Sequence, residues 1–383
     1  MKRMAIGVAA TVALLGSSLF TAPIVSAEEA SQSYIVTFKS GTTAESEVDV
    51  SAKALAAKHR GHIGHVYSSA LLGFSATLTP AAARALASDP AVASVNPDGV
   101  VRMTATQDNP PNWGLDRIDQ RDLPLNNKYN YATTASNVTV YVLDTGIRKS
   151  HFDFGGRASI GADTIGDGQN GFDCQGHGTH VAGTIGGGKL GVAKGVKIVA
   201  VRVLDCEGSG TWATLIAGID WVTRNAKKPA VVNMSLGGPG SNAPMENALR
   251  NSIASGLTYT ISAGNSNANA CDYTPARVST AITVGNSNQS DVRAPDSNHG
   301  SCLDIWAPGT DIPSAGNGCD WCFQVLSGTS MAAPHVAGAA ALYLAGHPNA
   351  TAQQVRDALV SKASSGKLSG IEAGSPNKLV YTG

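Results

Sequence analysis

From Tyr34 to Val101 apolar positions fall in short runs: Tyr34-Ile35-Val36-Thr37-Phe38, Ala44 to His59, segments around Val66 and Phe74, Pro80 to Ala87, and Val92 to Val101. Their order is strand, helix, strand, strand, helix, strand, which predicts a small ferredoxin-like α+β unit. Further on, Val138-Thr139-Val140-Tyr141-Val142-Leu143 is a β-branched apolar run that stops at Asp144-Thr145-Gly146. It predicts a buried strand with Asp144 at its C-terminal edge, where open α/β sheets keep their sites. A Gly/Thr turn at Ser327-Gly328-Thr329 feeds a long apolar helix. Ala352 to Lys362 and a short tail ending in Tyr381-Thr382-Gly383 follow it, so no further domain is expected there.

The chain opens with Met1-Lys2-Arg3, an apolar stretch from Met4 to Leu15 and small residues up to Val25-Ser26-Ala27. This is the layout of a secretory signal over residues 1–27, too short for a membrane span. No other segment is long enough to cross a bilayer, which predicts a soluble, secreted product.

At 383 residues and 43% hydrophobic content a full-sized core can be buried. A net charge of zero removes the electrostatic reason to expect nucleic acid or an anionic membrane as partner. Glycine is abundant at 43 residues, which suits tight turns and clefts lined by backbone.

Three segments carry candidate chemistry. Asp144-Thr145-Gly146 has the form of an aspartic protease half-site, but such enzymes need a second carboxylate, and the sequence has no second Asp-Thr-Gly or Asp-Ser-Gly. A strand-end Asx turn is the plain alternative. Gly176-His177-Gly178-Thr179-His180-Val181-Ala182-Gly183 places two histidines near one face if helical. The Glu of a His-Glu-x-x-His zinc site is missing, and one imidazole is expected in a cleft with the other buried. In Gly328-Thr329-Ser330-Met331-Ala332-Ala333, Ser330 falls in the first turn of a helix, where free amides and the helix dipole favour an oxyanion. Such a serine is commonly only an N-cap. With Asp and His segments upstream it fits a nucleophile, and the Gly-x-Ser-x-Gly elbow of α/β-hydrolase esterases is absent around it.

These segments resemble the subtilisin family of serine proteases, and the chain after about residue 105 is similar to its proteinase K and aqualysin branch. Matching runs include Trp113-Gly114-Leu115-Asp116-Arg117-Ile118-Asp119-Gln120, Ala200-Val201-Arg202-Val203-Leu204-Asp205, Asn233-Met234-Ser235-Leu236-Gly237-Gly238 and Ser262-Ala263-Gly264-Asn265. The resemblance implies a three-layer α/β/α fold on a mainly parallel seven-stranded sheet. It implies a monomeric endopeptidase acting on polypeptides, with Ser330 as nucleophile, His177 as base, Asp144 as its partner and Asn265 as oxyanion donor. Gly208-Ser209-Gly210 and Ser235-Leu236-Gly237 would pair with the substrate strand. Ser262-Ala263-Gly264 would wall an open pocket for hydrophobic or aromatic residues before the cut, and Trp212 would line a pocket further out. Residues 28–104 resemble the family's propeptide, an intramolecular inhibitor and chaperone removed by autocleavage near Thr104–Ala105 to leave residues 105–383. A catalytically silent binding protein on the same scaffold is the alternative.

Six cysteines in a secreted chain predict disulfides. The resemblance pairs Cys174 with Cys206 and Cys271 with Cys302. Cys319-Asp320-Trp321-Cys322 departs from the branch and is expected to close a small local bridge that stiffens the approach to Ser330. The resemblance also implies structural calcium, held by the Asp304 carboxylate and the carbonyls of Ser279 and Ala281. A second acidic set, Asp116, Asp119 and Gln120, matches in part, with Asn126 and Lys128 standing where relatives offer better ligands.

Overall fold

The computed structural model describes residues 30–99 and 104–383; the signal segment expected at residues 1–27 lies outside them. The chain divides between Val101 and Arg102 into two units.

In the first unit, strand β1 (Gln32–Phe38) buries Tyr34, Val36 and Phe38 at period two. Helix α1 (Val48–Lys58) buries Val48, Ala52 and Ala56 one turn apart. Strands β2 (His62–Tyr67) and β3 (Gly73–Leu78) follow, then α2 (Pro80–Ala87), then β4 (Val92–Pro97). Thr79 caps α2 by accepting from Ala82 N, with Pro80 at the first helical position. The sheet order is β2-β3-β1-β4, antiparallel throughout, as the ferredoxin-like expectation requires.

The second unit opens with β5 (Ala105–Asp108), α3 (Trp113–Ile118) and β6 (Lys128–Tyr131), β5 pairing with β6. Then come β7 (Thr139–Asp144), β8 (Ala158–Asp163), α4 (His177–Gly186), β9 (Lys197–Arg202), α5 (Trp212–Asn225), β10 (Ala230–Met234), β11 (Gly238–Pro239), α6 (Ala243–Ala254), β12 (Thr258–Ser262), β13 (Tyr273–Thr274) and β14 (Ile282–Ser287). The remainder is β15 (Ile305–Pro308), β16 (Ile312–Ala315), β17 (Phe323–Leu326), α7 (Thr329–Gly346), α8 (Ala352–Lys362), β18 (Ser364–Ser365) and β19 (Lys378–Leu379). Seven strands run parallel in the order β15-β14-β12-β10-β7-β9-β8. Two short strands, β19 and then β18, extend the β15 edge beyond the expected seven.

Both faces of this sheet are covered, which is why β7 is buried at every position. Its side chains alternate between two cores. Val140 and Val142 face the layer holding α4, α7 and α8, through residues such as Val181, Ile185, Val336 and Val355. Tyr141 and Leu143 face α5 and α6, through Leu215, Ile219, Met245 and Leu249. The result is the three-layer α/β/α arrangement. Disulfides join Cys174 to Cys206, Cys271 to Cys302, and Cys319 to Cys322.

Candidate active site

Strand β7 ends at Asp144 because the chain turns there through Gly146, at φ 108°, where a side chain would collide with Gly171 O at 2.7 Å. The Asp144 carboxylate is fully buried. Its Oδ1 accepts from Thr145 N at 2.7 Å and from His177 Nδ1 at 2.8 Å. An ionised carboxylate only accepts, so this bond fixes the Nδ1–H tautomer and leaves Nε2 as the basic nitrogen.

His177 opens α4, whose N-cap is Gly176 at φ 113° with no capping side chain of its own. Two neighbours serve instead. Gln175 Oε1 accepts from His177 N at 2.7 Å. The buried Asp173 carboxylate accepts from the amides of Gln175, Gly176 and Thr179 and from the hydroxyls of Thr145 and Thr179. An anion at a helix N-terminus meets its free amides and dipole. Gly178 must lack a side chain, because a Cβ there would stand 2.1 Å from Gly146 O. Burial alone would lower the His177 pKa, but the Asp144 charge and hydrogen bond outweigh it and raise it above the ordinary value.

His180, one turn along, is wholly buried and bonds Ile312 O through Nε2 at 2.8 Å. Burial lowers its pKa to about 4, so it stays neutral. Among the described residues there is no group of three or more His, Cys, Asp or Glu placed to hold a metal ion.

Ser330 lies in the first turn of α7, after Gly328 at φ 141°. Its Oγ donates to Ser235 O at 3.1 Å, and no hydrogen bond joins it to His177 in this rotamer. Ser330, His177, Asn265 and Gln175 share one cavity of about 250 Å³, lined also by Gln324, Leu326 and Ser327. Asn265 Oδ1 accepts from Thr329 N at 2.8 Å and Thr329 Oγ1 at 2.9 Å. That leaves the Asn265 amide N–H₂ as a donor beside Ser330.

A groove of about 730 Å³ runs from His177 along Gly208, Ser209, Gly210, Trp212, Ser235, Leu236 and Gly237. A pocket of about 290 Å³ adjoins it between Leu236-Gly237 and Ser262-Ala263-Gly264, reaching Asn265 and Ser330, with no charged side chain in its lining. The structure therefore brings together every residue expected to bind substrate. Two organising residues were missed. Asp173 stands four residues before His177, ahead of a glycine-led helix, and that is its only signal in the sequence. In the sequence Thr329 reads only as part of the turn.

Of the expected calcium ligands, the Asp304 carboxylate is already engaged. Asp304 Oδ1 accepts from Arg356 Nε at 2.8 Å and also from Arg356 Nη2, while Oδ2 accepts from Thr283 N at 2.8 Å. A guanidinium already compensates the carboxylate, and a second cation there would face like charge. Elsewhere, Asp119 Oδ1 and Gln120 Oε1 are buried without a partner, and burial raises the Asp119 pKa. Unsatisfied oxygens are the donors a hard cation takes. The Asp116 carboxylate is occupied by the amides of Asn126 and Asn127.

The sequence matches the subtilase family, called Peptidase_S8, over residues 135–379. It matches the peptidase inhibitor I9 family over residues 33–104. An extracellular serine proteinase of Thermus sp. (strain Rt41A) is 50% identical over 320 residues, 84% of this chain and 78% of that protein. Proteinase R of Parengyodontium album is 40% identical over 368 residues, 94% of this chain and 92% of that protein. The crystal structure of a cold-adapted subtilisin-like serine proteinase aligns with TM-score 0.69 at 51% identity, covering 70% of this chain and 97% of that one.

Proposed function

The chain belongs to the subtilase family and is a serine endopeptidase preceded by an I9-type inhibitor domain, and from that premise we propose that Ser330, His177 and Asp144 carry the reaction. The observation that carries the proposal is the Asp144–His177 bond at the mouth of the cavity that also holds Ser330 and the Asn265 amide. Ser330 Oγ turns from Ser235 O toward His177 Nε2 and attacks the scissile carbonyl. Nε2 takes the hydroxyl proton and returns it to the leaving amine, giving an acyl-enzyme. Water then attacks the acyl carbon while Nε2 takes one of its protons, and Nε2 returns that proton to Ser330 Oγ as the ester bond breaks and the acid leaves. Asp144 holds the tautomer and stabilises the imidazolium. Asn265 donates to the oxyanion with the Ser330 backbone amide.

The uncharged pocket beside Ser262-Ala263-Gly264 suits hydrophobic and aromatic residues before the cut, and the glycines at 208, 210 and 237 let a substrate backbone approach as an added strand. Trp212 lines the outer part of that groove. Any structural calcium would be held at Asp119 and Gln120, where it would compensate buried oxygen charge, and not at Asp304. Residues 1–27 direct secretion, residues 28–104 inhibit, and cleavage near Thr104–Ala105 leaves a monomeric enzyme of residues 105–383. In support, the Thermus relative is described as extracellular, and among the described residues no helix is long and apolar enough to cross a membrane.

Intact masses of secreted wild type and Ser330→Ala, from a host without extracellular proteases, test this. A wild type beginning near Ala105 with a mutant that keeps its N-terminal domain is the expected result. Identical processing of both proteins would overturn the self-cleavage role of Ser330.

A further inference from the structure

Trp321 is 72% exposed, Phe323 55% and Val325 57%, and all three lie on the hairpin β16–β17 and its turn, with Phe152 beside them at 44%. The Phe152 and Phe323 rings meet edge to face, 6.0 Å apart. Four apolar side chains so exposed and adjacent form a patch of the kind that marks an interaction surface.

The patch is held rigidly. The Cys319–Cys322 bridge closes the turn under Trp321. Asp320 Oδ1 accepts from Arg148 Nε at 2.6 Å and Ser150 Oγ at 2.7 Å, and Asp320 O accepts from Phe152 N at 2.7 Å. His151 Nε2 bonds Cys322 O at 2.9 Å. A turn whose backbone is fixed in place loses little freedom when something covers it.

The patch is continuous with the cleft. Strand β17 pairs with β16 on one edge and, among the described residues, with no strand on the other. Its residues alternate. Gln324 and Leu326 line the Ser330 cavity, and Phe323 and Val325 project to the opposite face. The groove and pocket assigned to the acyl side are built from residues 204–238 and 262–276, so β17 flanks the leaving-group side.

Resting on the catalytic assignment of Ser330, we infer that Trp321, Phe323 and Val325, with Phe152, form a docking surface for apolar residues of a polypeptide substrate on the leaving-group side of the cut. A substrate strand along the free edge of β17 would send alternate side chains into the Ser330 cavity and onto this patch. The occupant is the substrate because the same short strand lines both places.

The test compares two substrates of the mature enzyme. One is a chromogenic peptide anilide with nothing but the reporter after the cut; the other is a quenched peptide with the same acyl side followed by Phe, Leu and Tyr at the second to fourth positions after it. Trp321→Ala/Phe323→Ala is expected to lower kcat/KM about tenfold on the long peptide and to leave the anilide unchanged, with Trp321→Phe retaining most of the wild-type value. Equal loss on both substrates, or loss on neither, overturns the docking surface, the first by showing that the hairpin only supports Ser330. A change of oligomeric state in the double variant with unchanged kcat/KM overturns it in favour of a second copy as occupant. A wild type inactive on the anilide would instead overturn the catalytic assignment on which the inference stands.

Discussion

Ser235 and Ser330 exchange hydrogen bonds in both directions: Ser235 Oγ donates to Ser330 O at 2.8 Å, and Ser330 Oγ donates to Ser235 O at 3.1 Å. The first bond has a cause within the helix. Pro334 sits four residues after Ser330 and has no N–H, so the Ser330 carbonyl lacks its helical partner, and the Ser235 hydroxyl supplies the missing proton. Asn233 Nδ2 orients that hydroxyl by donating to it at 2.9 Å.

Ser235→Ala should leave the Ser330 carbonyl unsatisfied and cost roughly 1–3 kcal/mol of stability. Denaturant unfolding compared in a Ser330→Ala background, which avoids self-digestion, measures it. An unchanged midpoint would show that water replaces the hydroxyl at no cost.

Asn265→Ala should lower kcat by roughly 10²–10³ with little change in KM, since the amide acts on charge that exists only in the transition state. Thr329→Val, which keeps the backbone donor to Asn265 and deletes the hydroxyl, should cost less. Steady-state kinetics on one short peptide would check both, and a loss under about tenfold for Asn265→Ala would sink the assignment.

Activity should rise with pH through a value above the ordinary histidine pKa, because His177 must be neutral to accept a proton and its pKa is raised. The stability that this raised pKa contributes is full below about pH 6.5 and is lost as pH rises through the folded value. His180 and His335 behave oppositely. Both are buried with pKa lowered to about 4. Asn112 Nδ2 donates to His335 Nε2 and His335 Nδ1 donates to Met331 O, an arrangement that only the neutral ring allows. Stability from these two is present above about pH 6.5 and lost as pH falls toward 4. Unfolding free energy against pH in Ser330→Ala should fall across that window, and the slope should lessen in His335→Gln.

Arg356→Gln should convert Asp304 into a site that responds to calcium. Wild-type melting temperature should depend on calcium only through Asp119, so Asp119→Asn should abolish the response and Asp304→Asn should not. Melting curves in EDTA and in excess calcium, all in a Ser330→Ala background, would decide. A calcium response that disappears in Asp304→Asn would show that the guanidinium yields to the ion.

The segments bearing Asp144, His177 and Ser330 were legible because each joins a strand or helix pattern to one polar residue at its end, where local rules apply. The wall residues came from the resemblance of their segments to the family, and their small side chains only suggest an open pocket. The role of Arg356 was not legible, because in sequence it is one charged residue on an ordinary helix, and its partner Asp304 lies on a different element. The role of Ser235 was hidden likewise, since it depends on what Pro334 takes from a helix far along the chain. Strands β18 and β19 are two residues each, too short for any alternation to reveal.

The order of the parallel sheet bears on the time course of folding. Thr139 pairs with Ala230 and with Lys197, so β7 meets β9 across the intervening β8 and α4, and meets β10 across α4 and α5 as well. Sheets of this kind form slowly, since distant segments must meet before any contact rewards them. The first unit has shorter connections, β2 joining β3 as a hairpin. A parallel sheet that closes late keeps its strands open for longer, and an open strand is the conformation a proteinase cleft can pair with. Whatever holds finished molecules in check therefore governs yield as much as activity does.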